Sequence, residues 1–114
     1  MGAGPRLWDV VWPGELVADP HRGPLSTTYQ GERPWVVIGV VTGGDLLAAP
    51  LNDAANPKRF TPLLAREEVR MPGSSKESQL ELAHVWSFPS FLGAVGSVAP
   101  EARGRVLAAL RSYF

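Results

Sequence analysis

The sequence predicts a mainly β fold, a small antiparallel barrel or curled sheet with one helix at its C-terminal end. Three observations lead there. Two apolar runs, Trp35 to Val41 and Leu46 to Leu51, flank a Thr42-Gly43-Gly44-Asp45 turn. Glycine (12) and proline (11) together make about a fifth of the chain, which favours many turns and few long helices. Helical periodicity is confined to the C-terminal stretch after Ala99.

The elements follow in order. Leu7 to Trp12 (Leu-Trp-Asp-Val-Val-Trp) is rich in residues that suit a half-buried pleated surface and is predicted as a strand. Pro13 and Gly14 end or bulge it, and Glu15 to Ala18 can resume it. Asp19 to Glu32 is polar and turn-rich; a connection this long in a compact domain points to function or mobility. Trp35 to Val41 and Leu46 to Leu51 form a tight hairpin, because Gly43 and Gly44 can take the positive φ of a type I′ or II′ turn. Apolar residues on both faces make these central strands.

Asn52 to Lys58 is predicted as a loop, and Phe60 to Leu64 as a strand that Pro62 confines to a sheet edge. Met71 to Lys76 is a turn. Ser78 to Phe88 alternates, with Leu80, Leu82, His84 and Trp86 on one side and Gln79 and Glu81 on the other, as in one continuous strand. Pro89 and Gly93 bracket a short segment containing Phe91 and Leu92. Pro100 and Glu101 open the helix, with Val106, Leu107, Leu110 and Phe114 on its apolar stripe and Arg103 and Arg111 off it.

At 114 residues the chain is long enough for one domain and can bury about two-thirds of its unfolded surface. The absence of cysteine excludes disulfides, thiol catalysis and thiolate metal sites, and fits a reducing cytosol. No apolar run reaches a membrane span, and Met1 to Arg6 is too short and glycine-rich for a signal peptide, so a cytoplasmic location is expected. Eleven basic and eleven acidic residues cancel, so nucleic-acid binding requires a local basic surface. There is no nucleophile elbow and no phosphate loop.

Three segments together resemble one family. Leu7 to Trp12 is similar to a "GDIVWV"-type first strand. Gln30-Gly31-Glu32-Arg33-Pro34-Trp35-Val36-Val37-Ile38 is close to "G-x-R-P-V-L-V-I". Gly96-Ser97-Val98-Ala99-Pro100-Glu101, leading into an apolar helix, is much like an "iG-x-l-s-p-E" ending. In order, spacing and length they resemble the MazF/PemK toxins of type II toxin–antitoxin pairs across nearly the whole chain. The resemblance implies an SH3-like small barrel of the CcdB/MazF type and usually a homodimer. It implies sequence-specific, metal-independent cleavage of single-stranded RNA through a cyclic phosphate, with no cofactor. The resulting loss of mRNA inhibits translation and growth, and a cognate antitoxin with a disordered tail blocks the RNA groove.

Carried onto this sequence, Arg33 matches the arginine that stabilises charge on the phosphate, a task suited to a permanently charged, forked guanidinium. Where the family has Thr or Ser after a Pro-aliphatic pair, Pro50-Leu51 is followed here by Asn52. An amide donates to phosphate oxygen but is no hydroxyl acid. Thr27-Thr28-Tyr29-Gln30 occupies the loop before the arginine, without the family's acidic residue. Ala83-His84 stands where many members have Asp-Gln.

RNA cleavage without a metal needs a base for the 2′-hydroxyl and an acid for the 5′-oxygen, and histidine suits both. The two histidines, His21 and His84, therefore become acid–base candidates around Arg33; the plainer reading makes them a loop residue and a satisfied strand residue. Trp86 and Tyr29 are candidate base-stacking residues, although most tryptophans in a small β domain are core. Arg22, Lys58 and Arg59 can supply local positive charge, or be solvated surface residues. Two alternatives remain open. One is a catalytically weak member that binds only RNA or antitoxin, favoured by Asn52 and Ala83. The other is a CcdB-type topoisomerase poison, which Arg33 argues against.

Overall fold

The computed structural model describes residues 4–13, 34–53, 61–72, 77–90 and 92–113. Among these lie eight strands and one α-helix: β1 (Asp9–Val11), β2 (Trp35–Val40), β3 (Leu46–Asp53), β4 (Leu63–Leu64), β5 (Val69–Arg70), β6 (Ser78–Leu80), β7 (Trp86–Phe88), β8 (Ala94–Val98) and α1 (Pro100–Tyr113). All pairings are antiparallel, in the order β4-β6-β3-β2-β1-β8-β5, with β7 beside β6 on the same edge of β3. The two ends of that path, β4 and β5, are separated in sequence only by Ala65 and a 3₁₀ turn, Arg66–Glu68. The sheet must therefore curl until its edges nearly meet. The result is a small SH3-like barrel with a C-terminal helix, as the sequence predicts.

The central hairpin is where β-branched propensity and turn chemistry agree. Trp35, Val36 and Val37 are fully buried, and β2 pairs with β3 along its length. Alternate residues serve two cores. Val10, Val36, Ala49 and Leu51 face the barrel interior with Leu64, Leu80, Val98 and α1. Val11, Trp35, Val37 and Ala48 face the other side with Leu46, Phe88 and Leu92, where the Trp35 and Phe88 rings meet edge to face at 5.1 Å. Both faces of the central strands are thus covered, which explains their apolar character on both sides. Gly43 and Gly44 both adopt positive φ, +101° and +94°. The Gly44 N–H donates to the Val41 carbonyl and the Val41 N–H to the Asp45 carbonyl, both at 2.9 Å, so the reversal is one residue longer than a two-residue turn.

Several sequence expectations are corrected. The first strand is shorter than Leu7 to Trp12, because Trp8 takes a left-handed φ of +75°. Its N–H still bonds Val37 and its carbonyl still receives Val98, so neighbours on both sides hold that conformation. Arg103, expected off the helix's buried face, packs its guanidinium over Trp8 and donates twice to the Val98 carbonyl. Asn52 and Asp53 extend β3 rather than opening a loop. Ala94 to Val98 forms a strand that sequence reasoning missed, and this strand joins β1 to β5. Within it, a Cβ on Gly96 would fall 2.3 Å from the Arg70 carbonyl oxygen and 2.6 Å from the Met71 Cβ. Glycine alone permits that approach.

The helix begins at Pro100 as expected, but Ala102 and Val106 form its fully buried stripe while Leu107 is 44% exposed. Phe114 and the segments 14–33 and 54–60 lie outside the described residues, including the expected resumption of the first strand and the polar loop. No helix among the described residues is long and apolar enough to cross a membrane.

Candidate functional site

The site begins with Pro50. In an antiparallel strand the N–H and C=O of one residue point to the same neighbour. Pro50 offers its carbonyl to that neighbour, accepting the Glu81 N–H at 3.0 Å, but has no N–H to return. The Glu81 carbonyl instead accepts from the His84 N–H at 3.2 Å, and the chain rolls into a 3₁₀ turn, Leu82–His84. The expected continuous strand from Ser78 to Phe88 is therefore two strands. β6 pairs with the far end of β3, Leu51 opposite Leu80, and β7 with its near end, Ala48 opposite Trp86. Between these registers the second segment carries three residues more than β3, and they loop out as a bulge-like turn ending in His84.

β3 thus collects three segments far apart in sequence. On one side Trp35 is opposite Pro50, and the Leu51 N–H donates to the Pro34 carbonyl at 2.9 Å. Pro34 is the residue directly after Arg33. On the other side Asn52 is opposite Gln79, with the Glu81–His84 turn beyond it. Trp86 is half-buried against the Trp35 and Phe88 cluster, two residues past His84. Asn52, His84 and Trp86, chosen from sequence, are gathered along one strand edge.

Electrostatically, the feature that sequence alternation missed is Glu81. Alternation placed Gln79 and Glu81 on a polar face opposite Leu80, Leu82, His84 and Trp86; both are buried, at 3% and 4% exposure. The Glu81 carboxylate Oε2 lies 3.8 Å from His84 Nε2, an ion-pair distance longer than a hydrogen bond. The His84 side chain keeps 41% of its surface exposed while the Glu81 side chain keeps 5%. The signal that could have found Glu81 was its spacing. A carboxylate three residues before a histidine shares its face in a helical turn, but not in a strand.

Of the tryptophans weighed, Trp8 and Trp35 are core, Trp12 is exposed and Trp86 is intermediate. Thr42 is in the hairpin turn, at the other end of β3 from Asn52. Arg33, His21, Arg22, Thr27, Thr28, Tyr29, Gln30, Lys58 and Arg59 lie outside the described residues. The chain matches no known family model and no curated protein.

Proposed function

We propose that this protein is a metal-independent endoribonuclease of the MazF/PemK kind, a growth-inhibiting toxin that cuts single-stranded RNA and is held in check by an antitoxin. The observation that carries this reading is the convergence on β3. The residue following Arg33, the Pro50-Leu51-Asn52 strand end and the turn bearing His84 are hydrogen-bonded neighbours. These are the segments in which the family resemblance concentrates its chemistry. The barrel fold is the one that the resemblance implies.

In the proposed reaction the 2′-oxygen of the substrate bonds to phosphorus as the bond from phosphorus to the 5′-oxygen breaks. A proton leaves the 2′-hydroxyl to a base, and another arrives at the 5′-oxygen from an acid. His84 carries one of these protons and His21 the other. Arg33 stabilises the charge on the phosphate, the Asn52 amide donates to a phosphate oxygen, and Trp86 stacks on a base. Arg22, Lys58 and Arg59 bind the RNA backbone, and Thr27, Thr28, Tyr29 and Gln30 make further RNA contacts. The protein acts as a cytoplasmic homodimer.

The test is a long unstructured RNA incubated with purified protein in EDTA, with cut sites mapped by primer extension and Arg33→Ala run in parallel. Sequence-specific cuts that vanish in the variant are expected. Intact RNA at high protein concentration would transfer the proposal to binding of RNA or antitoxin alone, the function that an amide at Asn52 still permits.

A further inference from the structure

We propose that Glu81 is a positioning residue for His84, its buried carboxylate fixing the imidazole at the strand edge for proton transfer. The chemistry served by the ring rests on the ribonuclease reading; the pairing itself rests on geometry.

A carboxylate taken out of water is costly unless charge or hydrogen bonds compensate it. A barrel wall needs no acid at this place: Leu80 and Leu82 on either side are buried hydrocarbon. Glu81 is nevertheless 4% exposed, and its Oε2 faces Nε2 of a ring that reaches solvent. The backbone builds this arrangement deliberately. Pro50 removes the donor that would have kept the ladder going, and the His84 N–H turns back onto the Glu81 carbonyl. One short turn thereby fixes both ends of the pair, carboxylate inward and imidazole outward. A carboxylate facing one ring nitrogen favours one orientation of the imidazole. Glu81 acts through the ring: it neither gives nor takes the transferred proton, and it touches no substrate.

The experiment has two arms. In the first, wild type, Glu81→Gln and Glu81→Asp are treated with diethylpyrocarbonate at about pH 8, above the ordinary titration range of imidazole. Modification is followed by peptide mass spectrometry, with His21 as internal reference. The expected result is a His84 rate several-fold lower in Glu81→Gln and partly restored in Glu81→Asp, with His21 unchanged. Loosening or unfolding of the turn would expose the ring and raise the rate, so the sign separates positioning from structural support. In the second arm, RNA cleavage by Glu81→Gln falls about tenfold in kcat at unchanged KM, and the substitution adds no further loss in a His84→Ala background. An unchanged or faster His84 modification rate overturns the proposal, as do additive losses in the double variant. If wild-type protein cuts no RNA, the ribonuclease reading fails by itself, and the modification ratio still decides the pair.

Discussion

Two glutamates stand beside short 3₁₀ turns of the barrel, and their partners differ. Glu68, at the end of the Arg66–Glu68 turn, accepts the Ala65 N–H at 2.8 Å and the Arg105 guanidinium on the same oxygen. Arg105 also donates to the Leu63 carbonyl at 3.1 Å, and the Glu68 carbonyl receives the Ala99 N–H at 2.8 Å. This one cluster ties α1 to β4 and to the turn before β5, the two edges of the curled sheet. Its cation never titrates. Glu81 faces instead the partly exposed imidazole of His84, 3.8 Å away, at the place where β3 loses its continuous partner. The comparison teaches that a tightly hydrogen-bonded ion pair closes the barrel and a longer carboxylate–imidazole pair marks its candidate site.

The largest effect should come from the closing seam. Gly96→Val forces a side chain into the Arg70 backbone and should cost about 3 kcal/mol, read as a lower midpoint in urea unfolding. The candidate site should behave in the opposite way. His84→Ala should lower RNA cleavage about 100-fold and lower the unfolding midpoint less than Gly96→Val does, because the ring is only partly buried. A large stability loss with unchanged cleavage would reverse the assignment of the two regions. Trp86→Ala should weaken RNA binding about tenfold, the share of one stacked base, measured by fluorescence anisotropy of a labelled oligonucleotide.

The smallest effect sharpens the contrast by pH. The hydrogen bond from Arg105, and then that from the Ala65 N–H, hold the Glu68 carboxyl below the ordinary glutamate range. A lowered folded value means that the unfolded chain binds the proton more readily. The stabilisation is therefore complete above about pH 4.3 and is lost as the pH falls through the folded value. Arg105→Ala should remove about 1 kcal/mol near neutral pH and flatten the acid limb of the stability profile, since Arg105 is half-exposed and its pairing is screened.

The sequence disclosed the hairpin because β-branched runs and a glycine pair gave the same answer at two levels. It also disclosed an edge strand near Pro62, although that strand is only Leu63–Leu64 rather than Phe60 to Leu64, and Pro100 at a helix start, where proline has a narrow set of uses. It did not disclose β8. Ala94, Gly96 and Ser97 carry little strand propensity, and Gly96 is required because Arg70 and Met71 pass close by, a long-range fact that no local pattern records. The break after Leu80 was hidden for a similar reason. Leu80, Leu82, His84 and Trp86 keep strand alternation, while the residue that interrupts the ladder, Pro50, lies on the opposing strand. The same error concealed Glu81, since polar character on an alternating strand reads as solvent-facing. At the site, Asn52, His84 and Trp86 were legible as residues. Their association along β3 was not, because it depends on β6 and β7 sharing one edge.

The most direct measurement is an NMR perturbation map of the protein with a single-stranded RNA made uncleavable by 2′-O-methylation. The account predicts that shifts concentrate at Asn52, Gln79, His84 and Trp86 along β3 and its partners. Shifts concentrated instead at Arg66, Glu68, Arg105 and Arg111 would place RNA on the barrel seam and contradict it.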